Sequence, residues 1–71
     1  MIVINLAQEQ EKAISLLEAY DGDCTFKFQE KQGIKLLFSV TGDPEMAAKK
    51  AKELIKAQPW GTVLYFNTMV R

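Results

Sequence analysis

Two runs of alternating residues stand on either side of Gly33, and they constrain the fold more than anything else in the chain. In the first, Cys24, Phe26 and Phe28 alternate with Thr25, Lys27 and Gln29. In the second, Ile34, Leu36, Phe38 and Val40 alternate with Lys35, Leu37, Ser39 and Thr41. Period two marks a strand with one buried face, because successive side chains leave opposite sides of the pleat. Glu30-Lys31-Gln32-Gly33 connects the two as a hairpin, and Gly33 can take the positive φ such a connection needs. The chain must therefore build antiparallel sheet with an apolar face, and something must cover that face.

Two segments are patterned to do so. Gln8 to Tyr20 is rich in Gln, Glu, Ala and Leu, and places Ala13, Ile14, Leu17 and Tyr20 at helical spacing. Asp21-Gly22-Asp23 closes it, with Gly22 suited to the left-handed position that ends many helices. Gly42-Asp43-Pro44-Glu45 starts a second helix. Asp43 can accept from the orphan amides as N-cap, Pro44 fits the first helical position, and Glu45 favours the positive helix end. This helix is expected to bury Ala47, Ala48, Ala51, Leu54 and Ile55, and to leave Lys49, Lys50, Lys52, Glu53 and Lys56 in water. Pro59 and Gly61 end it.

Residues 1–6 are apolar and β-branched and read as a short buried strand. Thr62 to Val70 reads as the last strand, with Leu64, Phe66 and Val70 on one face and Val63, Tyr65, Asn67 and Met69 on the other. The order is β-α-β-β-α-β, which predicts one α+β domain over residues 1–71 of the ferredoxin-like type. In that layout two helices cover one face of a four-stranded antiparallel sheet, and the first and third strands are central. The rival begins with one long helix, because Val3, Leu6, Ala7, Gln10, Ala13, Ile14 and Leu17 also follow a helical stripe. That alternative is αββαβ on a three-stranded sheet.

Composition limits the chemistry. The chain has 71 residues, with nine Lys+Arg balanced by nine Asp+Glu, no His and one Cys. A net charge of zero gives no electrostatic footprint for nucleic acid or an anionic membrane. Without His and with a lone Cys, most catalytic bases and zinc ligand sets are absent. Cys24 shares a phase with Phe26 and Phe28 beside Asp23, which suits a core position and not a nucleophile. Glu18, Asp21 and Asp23 do not match a calcium loop. No enzyme, cofactor or metal is expected. The apolar stretches are too short to span a bilayer, Asn5 interrupts the first, and nothing basic precedes it, so neither a membrane anchor nor a signal peptide is expected. A single free thiol fits a reducing, cytoplasmic setting.

Phe26 to Ala57 resembles the second half of heavy-metal-associated domains, a hairpin followed by a helix led by Gly-Asp-Pro. Those domains hold soft metals with two cysteines after the first strand. The corresponding Asn5-Leu6-Ala7-Gln8-Glu9-Gln10 carries no sulfur, so the metal function does not carry over. Val3-Ile4-Asn5-Leu6 is similar to the tail of the first-strand motif of RRM domains. The open face of Gly33 to Val40, however, offers Lys35, Leu37 and Ser39, and apart from Tyr65 there is no aromatic on which RNA bases could stack. Nucleic acid is not an expected partner.

The face left open by the helices attracts more interest. Val3, Leu37, Val63, Tyr65 and Met69, with Asn67, are expected to form an apolar patch across the first, third and fourth strands. Monomers seldom leave large patches of this kind in water. The last strand also carries no charge from Thr62 to Val70, and edges are usually protected by charge or pairing. A chain this short buries only about 60% of its unfolded surface, so pairing would offset a small core. The leading expectation is a non-enzymatic interaction or regulatory module, self-associating through the open face or the fourth-strand edge, with a second copy or another protein as partner. Regulatory domains of the ACT type, which share the layout, pair in related ways. The alternative is a small-ligand- or RNA-binding domain that uses the same face, with Lys27 and Lys35 as anion contacts beside Tyr65. Trp60 and the lysines of the second helix read as a core-capping side chain and a solvated face.

Overall fold

The structure, a computed structural model, describes residues 1–71. Its elements run β1 (Ile2–Asn5), α1 (Gln10–Ala19), β2 (Phe26–Gln32), β3 (Lys35–Val40), α2 (Pro44–Lys56) and β4 (Asn67–Val70). They form one four-stranded sheet in the order β2-β3-β1-β4, with every pair antiparallel. The opening residues are thus a central strand and not the start of a long helix, which removes the αββαβ alternative. Ile2 and Ile4 account for this: β-branched and wholly buried, they face the helices from the middle of the sheet.

Core packing follows the alternation. Ile2, Ile4, Leu36, Phe38 and Phe26 meet Ala13 and Leu17 of α1 and Ala47, Ala48, Ala51 and Ile55 of α2 in one buried cluster. Leu54, Leu64, Phe66 and Trp60 are half-buried against it. Phe38 is its centre, with the Phe28 and Phe26 rings edge-on at 5.5 and 6.5 Å. Alanines on α2 let that helix lie close to β1 and β4.

Local signals set most boundaries. Asp43 caps α2 by accepting from the Glu45 N–H at 3.0 Å, with Pro44 as the first helical residue. Gly33 takes a φ of 61° in the hairpin. The connection is tighter than Glu30 to Gly33, however, because β2 runs on to Gln32 and only Gly33 and Ile34 turn. A glycine at positive φ followed by a residue at negative φ is the type II′ pattern, which matches the twist of paired strands. Ile34 is therefore a turn residue open to solvent and not part of β3.

Both ends of α1 differ from expectation. It begins at Gln10, after Glu9 has taken a left-handed φ of 58° without a capping side-chain bond. Gln10 instead ties the helix start to the sheet, donating to the Leu6 and Gly33 carbonyls at 2.7 and 3.0 Å. At the other end the chain leaves through extended Tyr20, and Gly22 has no positive φ. The Tyr20 ring lies against Gly22, where a Cβ would meet its hydroxyl, so that glycine serves close approach and not a helix cap.

Candidate functional site

The two edge strands of the sheet are built differently. On β2, Gln29 is an extra residue: Phe28 pairs with Phe38, yet Glu30 already pairs with Leu37. Such a bulge bends the strand and spoils it as a template. Lys27, Glu30 and Lys31 add charge along the same edge. The Phe28 N–H, which the ladder does not use, donates to the Glu18 carboxylate of α1 at 3.1 Å. Bulge, charge and a helix side chain all protect β2.

On β4 none of these devices is present. Asn67, Thr68, Met69 and Val70 carry no charge and pair with Asn5, Ile4, Val3 and Ile2 without irregularity. The Arg71 N–H reaches the Met1 carbonyl at 2.9 Å, so the odd-numbered residues direct their backbone groups to β1. By the two-residue period, Thr68 and Val70 direct theirs outward, away from the sheet. Met69 and Val70 remain 47% and 46% exposed beside those groups.

The strand is shorter than the expected Thr62 to Val70. Val63 and Tyr65 lie outside the sheet, 79% and 99% exposed, and do not join the patch expected on the open face. Two causes act together. β1 ends at Asn5 and offers no partner to anything before Asn67. Residues 57–63 are also spent in turns, with Gly61 and Thr62 N–H groups both donating to the Gln58 carbonyl. A Cβ on Gly61 would collide with the Ile55 carbonyl, so the turn depends on glycine by close approach. Val63 and Tyr65 instead flank Leu6, Ala7 and Gln8 around a hollow of about 330 Å³.

The open face gathers only part of the predicted set. Leu37, Val3 and Met69 stand in one row across β3, β1 and β4. Val3 and Leu37 are nonetheless 5% and 3% exposed, so this floor is already covered by its own neighbours. The β2 bulge contributes, since it sets both Gln29 and Glu30 opposite Leu37 where an even strand would set one side chain. The next row holds Lys35, Asn5 and Asn67, with Asn5 donating to the Asn67 side-chain oxygen at 2.6 Å. Lys27 pairs with Ser39, two rows from Lys35, so the two lysines expected to share an anion stand roughly 13 Å apart along the sheet.

Lys35 has a different cationic companion, Arg71. The two line a groove of about 310 Å³ with Gln32, above Val3, Leu37, Met69 and Val70. Neither is in an ion pair: the chain's salt bridges are Lys12 with Glu9 and Lys50 with Glu53. Arg71 lies past the alternating segment, so only the strand register places it beside Lys35.

Elsewhere the titratable groups have structural explanations. Cys24 is buried in the core, and burial first, then the charge of Asp23, pushes its thiol above the ordinary value. Tyr20 donates to Asp23 at 2.8 Å. That bond raises the phenol and lowers the carboxyl from their usual ranges. Lys56 donates to the Leu64 carbonyl at 3.1 Å and sits 5.3 Å from the centre of the Phe66 ring. No three His, Cys, Asp or Glu side chains converge as a metal site, and no helix is long and apolar enough to cross a membrane. The chain matches no family model, no curated protein and no solved structure, so its geometry alone bears on what it does.

Proposed function

We propose that the chain is a small non-enzymatic interaction module of ferredoxin-like topology that self-associates through the β4 edge. The observation that carries this reading is the contrast between the edges: β2 is bulged, charged and bonded to α1, whereas β4 is straight, uncharged and bare. An unprotected edge with outward N–H and C=O groups is a template for another strand. The covered floor of Val3 and Leu37 favours the edge over the open face as the route of association. A second copy suits β4 because an uncharged antiparallel edge can lie against itself with no like charges opposed.

Sedimentation of the wild type against Thr68→Pro and Met69→Lys tests the reading. Proline at position 68 removes only an outward N–H, which an edge tolerates, and lysine on an edge is a natural deterrent to pairing. The wild type should form a dimer with concentration, and both folded variants should remain monomers. A wild type that stays monomeric at every concentration overturns it.

A second reading rests on the unpaired Lys35 and Arg71 beside the exposed Met69 and Val70. Such a groove suits a small anion with an apolar body. Titration with an aryl carboxylate should move the Lys35 and Arg71 resonances, and Lys35→Gln should abolish the effect. No movement at low salt removes this reading.

A further inference from the structure

We propose that two copies pair their β4 strands antiparallel about a twofold axis at Thr68, drawing Phe66 into the strand and setting Tyr65 against the partner's Arg71. This rests on the β4 edge being the pairing surface, and it specifies the register. Four residues make a short edge, and shortness is itself a protection. Residues 64–66, however, run into β4 without a turn or bend. Exposure alternates from residue 63 to 69: Leu64, Phe66 and Thr68 are half-buried, whereas Val63, Tyr65, Asn67 and Met69 are exposed, and only terminal Val70 departs from the pattern. On the β1 side they lack a strand partner because β1 stops at Asn5.

Hydrogen bonding selects the register. Continuing the two-residue period, Phe66 directs its N–H and C=O outward like Thr68 and Val70, and none of these outward groups has a partner. Leu64 is different. Its N–H donates to the Gly61 carbonyl at 3.2 Å and its own carbonyl accepts from Lys56 at 3.1 Å, so a new ladder cannot start there. Three free residues therefore remain on each copy, and a twofold axis at the middle one, Thr68, satisfies them all. Phe66 then faces the partner's Val70, Thr68 faces the partner's Thr68, and Val70 faces the partner's Phe66. An axis at Asn67 would pair Val70 with the already occupied Leu64 and leave its groups unmet.

The side chains agree with this choice. Aromatic opposite β-branched and threonine opposite threonine are favourable cross-strand pairs. On the other face, Tyr65 lies opposite the partner's Arg71 and diagonal to the partner's Met69. A guanidinium and a thioether are both good neighbours for an aromatic ring. One register thus covers Tyr65, Met69 and Val70, three of the chain's exposed large side chains.

Cysteine cross-linking tests the register, with Cys24→Ala as background. In the proposed pairing, residue 67 of one copy and 69 of the other form a non-hydrogen-bonded pair with Cα atoms about 4.5 Å apart. Like positions lie on the diagonal, roughly 7–8 Å apart, too far for a disulfide. A mixture of Asn67→Cys and Met69→Cys proteins, oxidised with glutathione disulfide, should link to each other at least about tenfold faster than either links to itself. Preferential self-linking of Asn67→Cys or of Met69→Cys, in a protein that sediments as a dimer, overturns the register and leaves edge pairing standing. A wild type that never dimerises overturns both. Filtered NOEs in the unmodified dimer, from Tyr65 ring protons to the partner's Met69 methyl, give the same answer without mutation, and their absence in a proven dimer also rejects the register.

Discussion

β2 and β4 are both edges of one sheet and pack under helices of the same chain, yet they differ in bulge, charge and side-chain cover. β2 carries a bulge at Gln29, charges at Lys27, Glu30 and Lys31, and a carboxylate from α1 on the Phe28 amide. β4 carries no counterpart of any of these. The chain thus guards one edge with a bulge, charges and a helix side chain, and the other with nothing but its four-residue length. Met69 and Val70 lie exposed beside that unpaired edge.

The largest effect is expected when β2 is made to resemble β4. Deleting Gln29 and replacing Lys27, Glu30 and Lys31 with Thr removes the bulge and the charge together. Two open edges on one sheet no longer close on a twofold, so the account expects large open-ended assemblies, seen by light scattering, in place of a dimer. If this variant stays the size of the wild type, edge protection is not what separates the strands.

A smaller effect is expected from Gly61→Ala, which acts on the turn that leads residues 64–66 into β4. Its Cβ collides with the Ile55 carbonyl, and forced crowding of this kind costs about 1–3 kcal/mol. Urea unfolding should show that loss. Asp43→Ala removes the α2 cap and should cost about 1 kcal/mol in the same assay. It touches neither edge, so the dimer dissociation constant of the folded protein should not change. A shift there would mean that pairing follows general stability and not the β4 edge.

The smallest effect concerns pH. Asp23 sits below its ordinary range because Tyr20 donates to it, so the carboxylate's contribution is present above the ordinary carboxyl pKa and is lost as pH falls through the lowered one. Tyr20 is raised, so its contribution is present below the ordinary phenol pKa and is lost as pH rises through the raised value. Thermal melts across acid pH should flatten in Tyr20→Phe. The bond lies beside the loop that leads into β2, so the dimer constant should stay the same.

Much of the fold was legible because local and long-range signals agreed. Alternation at Phe26, Phe28, Leu36 and Phe38 marked the core face, and Asp43 with Pro44 marked the start of α2. The short run Ile2 to Asn5 was ambiguous between helix and strand, and burial between β3 and β4 decided it. The patch was less legible. Alternation from Val63 to Met69 predicts which side chains share a face but not whether a partner strand exists to hold them, and β1 is too short to provide one. Leu37 and Val3 have the right phase, yet no sequence period reveals the bulge that sets Gln29 and Glu30 opposite Leu37. Alternation puts Lys35 on the open face, whereas placing its companion Arg71 requires the register of β4.

The most direct test of the β4 edge is an assigned amide NMR spectrum followed across a wide dilution series. Phe66, Thr68 and Val70 should shift together with concentration while Lys27 to Gln32 stay fixed. Shifts along Lys27 to Gln32, or a spectrum that never changes, would contradict it.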